Sequence, residues 1–219
     1  MIHRIVELLF PPKCILCGKM LKQGEVDLCQ ECRIHGPECP VSKRKRPFLD
    51  SWLALWHYEE NVRRSLIRYK FYGKRHLAQG YGRLLAMKIL QEHDGDVDLI
   101  TWVPVSKWRK FRRGYDQVEL LAKAVGAELG MEPVRCLQKI RHTPPQSRIS
   151  GQAQRRANVL GAYRAVEPQR FAGKRILILD DIITTGSTVG ECARVLLTAG
   201  AKEVHCAAVA AANYNKTSR

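Results

Sequence analysis

The chain has 219 residues, with 37 lysines and arginines against 21 aspartates and glutamates, for a formal net charge of +16. A hydrophobic content of 45% excludes global disorder, and no apolar run approaches the roughly 20 residues that a membrane span needs. The opening stretch MIHRIVELLF is broken by charges and followed by no small-residue cleavage site. It reads as a short helix rather than a signal peptide, so a cytoplasmic protein without membrane insertion is expected.

The first element after this helix is a cysteine pattern. Cys14, Cys17, Cys29 and Cys32 read as C-x2-C, eleven residues, C-x2-C. Two such pairs wrap a tetrahedral ion from both sides, which predicts a closed, structural zinc site. Gly18 leaves room for backbone amides to approach the thiolates. A reducing compartment argues against disulfides, and a redox C-x-x-C would not occur twice. His35 and Cys39 are near enough in sequence to replace one ligand. The basic stretch PVSKRKRPF then reads as a linker, giving a zinc module over residues 1–48 and a second domain over residues 49–219.

In the second domain WLALWHY reads as a strand, followed by helices over ENVRRSLIRYKFYG and HLAQGYGRLLAMKILQEH. DLITWVPV is an apolar strand. Val118, Leu121, Ala122, Val125 and Leu129 define one face of a helix over residues 115–129, and EPVRCL is a short strand. A stretch with few apolar anchors begins at Lys139. RILILDD is the next strand; Val189, Cys192, Ala193, Leu196 and Leu197 repeat at helical spacing; EVHCAAVAA is the last strand before a polar tail. The alternation predicts an α/β fold, a mainly parallel sheet flanked by helices, with Cys136, Cys192 and Cys206 in the core.

The stretch ILILDDIITTGSTV combines a buried strand, two adjacent acids, a small hydroxyl-rich loop and the start of a helix. Ligands of parallel α/β sheets bind at the carboxyl ends of strands. The backbone amides of Thr184, Thr185, Gly186, Ser187 and Thr188, at a helix N-terminus, suit a phosphate. Asp180 and Asp181 would accept hydrogen bonds from hydroxyls or help hold Mg²⁺ through water. Phosphate and diol together describe a ribose 5-phosphate. The Walker A spacing and its lysine are missing.

This stretch resembles the phosphoribosyl pyrophosphate (PRPP) motif of type I phosphoribosyltransferases. With CILCGK…LCQEC, YKFYGKRHLA, VPVSKWRKFRRGYDQVELLAKAV and RHTPPQSRISGQAQRRANV, the chain resembles the ComF family of competence proteins of natural DNA uptake. Two positions depart from its usual pattern: Tyr115-Asp116 stands where Phe-Asn is common, and Arg148 where a small residue is usual. The resemblance implies that Asp180 and Asp181 meet the ribose hydroxyls and that residues 184–188 cradle the 5-phosphate. It places pyrophosphate at Ser106, Lys107 and Arg109, helped by Mg²⁺. It makes residues 139–160 a mobile hood over an acceptor.

Residues 101–165 carry 13 Lys/Arg against four Asp/Glu, a local surplus that suits polyanions. Arg112, Arg113, Arg148, Arg155 and Arg156 are the candidate contacts to single-stranded DNA. Tyr69, Phe71, Tyr72, Trp102, Trp108, Phe111 and Tyr115 are candidate stacking partners. A DNA-import helicase or other competence machinery is implied as a partner by the resemblance alone. Two alternatives stay open: an active transferase using a small base or amine, and a PRPP-binding module without chemistry.

Overall fold

The computed structural model describes residues 11–40, 46–93, 96–144 and 151–212. The expected N-terminal helix, Arg148, most of the basic linker and the polar tail lie outside them. Among the described residues no helix is long and apolar enough to cross a membrane.

Four parallel strands form the sheet, in the order β1 (Ser51–His57), β6 (Glu203–Ala211), β5 (Arg175–Ile183), β2 (Leu99–Trp102). The aliphatic runs of β5 and β6 are buried on both faces, as parallel strands covered by helices require. One face carries helices α2 (Glu60–Phe71), α3 (Leu77–Glu92) and α5 (Gln117–Leu129), whose Leu66, Leu85 and Leu121 meet Leu177 and Leu179 of β5. The other carries α7 (Ser187–Thr198), where Val189, Cys192 and Leu196 meet Ile176 and Ile178. Cys136, Cys192 and Cys206 are all in this second core.

The short helix α1 (Gln30–His35) belongs to the cysteine module. Ile15, Leu16 and Leu28 of that module pack into the same core as α2 and α3. Arg83 of α3 pairs with Asp27 through two hydrogen bonds of 2.8 and 2.5 Å.

Two elements differ from the periodicity reading. The expected strand EPVRCL forms no ladder. Pro133 cannot donate, Val134 makes a single bond to Ile100, and the strand β3 begins only at Leu137 and ends at Lys139. It pairs antiparallel with β4 (Tyr163–Ala165). The stretch between them is not anchorless, since it contains the helix α6 (Gln152–Val159). A further short helix, α4 (Lys107–Arg113), follows β2. Its signal was legible: Ser106 accepts from the Arg109 amide at 3.4 Å, and Gly114 closes the helix at φ 76°.

Candidate functional site

Strand β2 ends at Trp102, opposite Leu179, because Pro104 cannot continue the ladder. β5 runs on to Ile183 along β6. Beyond Leu179 one edge of β5 is therefore open, and a cavity of about 860 Å³ occupies that gap. Asp180 and Asp181 line it, together with Thr184, Thr188, Lys70, Arg109, Arg112, Arg113, Lys139 and Arg155.

Successive residues of a strand point to opposite faces. Asp181 falls on the side of α2 and α5. Its Oδ1 accepts from Lys70 Nζ at 2.8 Å and its Oδ2 from Gln117 Nε2 at 2.9 Å. Asp180 falls on the side of Lys139 and Cys192. Its Oδ1 accepts the Asp181 amide at 2.8 Å, and its Oδ2 has no hydrogen-bond partner among the described residues. The two acids are thus unequal: one is occupied by protein cations and amides, the other has an oxygen to offer. Burial drives both carboxyls toward protonation. Lys70 and Gln117 outweigh it at Asp181, which lies below its ordinary value. At Asp180 burial and the adjacent Asp181 charge prevail and push it up to about 8. An open, buried carboxyl oxygen of this kind suits a diol, and it would give up its proton on holding a hydrated Mg²⁺.

The hydroxyl loop turns at Gly186, at φ 78°, and opens α7 with no acid in its first turn. Thr185 Oγ1 and Ser187 Oγ are 2.8 Å apart. A β-carbon on Gly186 would lie 2.5 Å from Nη1 of Arg46, which donates to the Thr184 carbonyl at 3.3 Å and stacks on Trp52. The last part of the basic linker therefore places a cation against this loop. Thr184 and Thr188 face the cavity; Thr185, Gly186 and Ser187 form the turn itself.

Of the residues expected at pyrophosphate, Arg109 lines the cavity and donates to the Thr143 carbonyl at 2.9 Å. Ser106 is buried as the cap of α4, and Lys107 is exposed outside the lining. Asp116 caps α5 by accepting the amides of Val118 and Glu119, and it also holds the Val105 amide at 3.2 Å. An aspartate thus satisfies all three donors in place of the asparagine of the usual pattern.

Arg112, Arg113 and Arg155 line the cavity, while Arg156 is exposed outside it. Arg113 lies over Phe71 and Arg112 over Trp108. Phe71, Tyr72, Trp108 and Phe111 are exposed, Phe111 to 89%; Tyr69, Trp102 and Tyr115 are core residues. Sequence reasoning missed Lys70, Gln117, Lys139 and Arg46. Lys139 donates to Tyr163 Oη at 3.2 Å, and burial together with Arg109 pushes it down to about 8.

The four cysteines Cys14, Cys17, Cys29 and Cys32 bring their sulfurs within 4.8 Å of one another. His35 is not in this group, and Cys39 is buried in the second core. Burial raises the Cys14 thiol, but the amides of Cys29, Cys17 and Leu16 outweigh it and hold it at about 7. Converging sulfurs with amide donors fit a closed structural zinc site.

Residues 120–218 match the phosphoribosyl transferase domain model, and residues 5–42 match the double zinc ribbon domain model. Competence protein F of Haemophilus influenzae is 27% identical over 201 residues, 87% of this chain and 86% of that protein. Competence protein ComFC of Streptococcus pneumoniae is 26% identical, over 88% of this chain and 96% of that one. Over most of its length the chain is thus similar to competence proteins of the ComF type. DNA utilization protein YhgH of Escherichia coli K12 is a further relative, 28% identical over 87% of this chain and 86% of that protein. Among solved structures, a glutamine PRPP amidotransferase from B. subtilis aligns with 65% of this chain at 24% identity and a TM-score of 0.45. The chain covers only 30% of that enzyme.

Proposed function

We propose that this chain is a ComF-type protein that binds PRPP with Mg²⁺ in the cavity and single-stranded DNA across its mouth, acting in the cytoplasm during DNA uptake. The observation that carries this reading is the meeting, in one cavity, of the open carboxylate of Asp180, the hydroxyl loop at residues 184–188 and the cations of α4 and α6. PRPP presents a diol, a 5-phosphate and a pyrophosphate. Asp180 accepts from the diol, the loop amides and hydroxyls receive the 5-phosphate, and Arg109 neutralises the pyrophosphate. Mg²⁺, when bound, would screen the pyrophosphate charge; Asp180 Oδ2 is the oxygen available to hold it or its water. The zinc module and linker, residues 1–48, form one unit and residues 49–219 the other.

The strand would cross the arginines and exposed aromatics at the mouth. Phe71 and Trp108, each beneath a guanidinium, offer flat faces to bases. Such binding tolerates any sequence and falls with salt, by roughly 0.7 in log–log slope per phosphate neutralised. Fluorescence anisotropy of a labelled oligonucleotide at several salt concentrations tests this. Replacing Arg112, Arg113, Arg155 and Arg156 by alanine should flatten the slope while zinc stays bound. A wild-type protein that fails to bind at low salt overturns the nucleic-acid reading and leaves a transferase for a small acceptor. A DNA-import helicase remains the partner that this role calls for.

A further inference from the structure

Helix α2 touches the cysteine module with one turn and the cavity with the next. Ser65 Oγ donates to the Ile15 carbonyl, and Arg68 Nη2 donates to the carbonyls of Ile15 and Leu16 at 2.9 and 2.7 Å. Ile15 and Leu16 lie between Cys14 and Cys17, so the carbonyls that Ser65 and Arg68 hold belong to the knuckle itself. The Arg68 guanidinium also packs behind Gly18, where a β-carbon would lie 2.5 Å from Nη1. One residue on, Tyr69 Oη donates to the Gln117 carbonyl at 2.5 Å, and Tyr115 Oη donates to the Tyr69 carbonyl. Lys70 then reaches Asp181, as Gln117 does from α5. Asp181 in turn gives its amide to Asp180.

These contacts form an unbroken chain from the knuckle carbonyls to the open carboxylate. Tyr69 and Tyr81 are fully buried and Ser65 is buried with them, so α2 cannot rotate freely about its axis. We infer that the four-cysteine knuckle is a positioning element of the cavity, acting through Arg68 and Ser65 on α2 and from there through Lys70 on the acid pair. Without an ion nothing bonds the four sulfurs together, since metal binding and local folding are coupled. Losing the metal therefore opens the knuckle, withdraws the Ile15 and Leu16 carbonyls, and loosens the helix segment that carries Lys70. The module is then more than an appendage that adds stability: its metal state sets how well Asp181, and through it Asp180, is held. The ligand consequence of this chain rests on the PRPP reading; the mechanical one does not.

Two measurements separate them. The first is hydrogen exchange of the full chain, with zinc and after treatment with a chelator. Loss of protection that extends through residues 65–71 and into residues 177–183 is expected. Loss confined to residues 11–35 overturns the inference, whatever the ligand. The second is PRPP titration of Arg68→Met, Lys70→Met and the double variant, with zinc content measured in each. Arg68→Met should retain one zinc and weaken PRPP by about tenfold or more, the effect of losing an outer-shell support. In the Lys70→Met background the same change should cost almost nothing, because the two act in series. Arg68→Lys should recover part of the affinity. Additive effects, or an Arg68→Met variant within twofold of wild type, overturn the inference. A wild type that shows no PRPP binding overturns the functional reading and leaves the exchange result to decide the coupling.

Discussion

Replacing Asp180 by asparagine should make the protein more stable and less able to bind its ligand. Asp180 is buried beside Asp181, and burial and that neighbouring charge push its carboxyl from an ordinary 3.8 up to about 8. Below the ordinary value both the folded and unfolded chains hold the proton. From there up to about 8 the folded chain keeps a proton that the unfolded chain releases, so stability falls as pH rises and is not regained above 8. One retained proton sets a limiting slope of about 1.4 kcal/mol per pH unit. Over the roughly four units between the two values the total is on the order of several kcal/mol, a large fraction of a typical domain stability. Urea unfolding of wild type and Asp180→Asn at intervals from pH 5 to pH 9 reads the difference directly. The asparagine variant should gain on wild type steadily up to about pH 8 and hold a constant lead above it, while losing affinity for PRPP and Mg²⁺. A stability difference that does not change with pH would refute the reasoning, because it would mean that Asp180 does not retain its proton on folding.

Three further outcomes are expected. Metal analysis should find one zinc per chain, and Cys14→Ser or Cys29→Ser should release it and lower the melting temperature, since metal binding and local folding are coupled. Gly186→Ala should destabilise by about 1–3 kcal/mol in urea unfolding, because a β-carbon there combines a positive φ with a clash against the Arg46 guanidinium. Trp108→Ala with Phe111→Ala should weaken oligonucleotide binding by about 1–3 kcal/mol per lost stacking face, with the salt slope unchanged; an altered slope would point to a disturbed arginine surface instead.

The sequence by itself determined whatever is local in the chain. The two C-x-x-C pairs lie on a short loop that can close on itself. The run Ile176–Leu179, the acids after it and the glycine in the turn are consecutive, so strand, loop and helix start were legible with their ligand chemistry. The last strand was legible to the residue, Glu203–Ala211, because nothing polar interrupts its burial except His205. What the tertiary structure decided is which of two neighbouring acids is open. Asp180 and Asp181 look equivalent in sequence, yet the pleat turns them to opposite faces. Lys70, 111 residues away, and Gln117, 64 residues away, engage only the second. Arg46 reaches the Thr184 carbonyl across 138 residues, and Arg68 the Leu16 carbonyl across 52. Hydrophobic periodicity reports which face of an element is buried. It carries no record of which element lies opposite, and charge pairs across a cavity depend on that second fact alone.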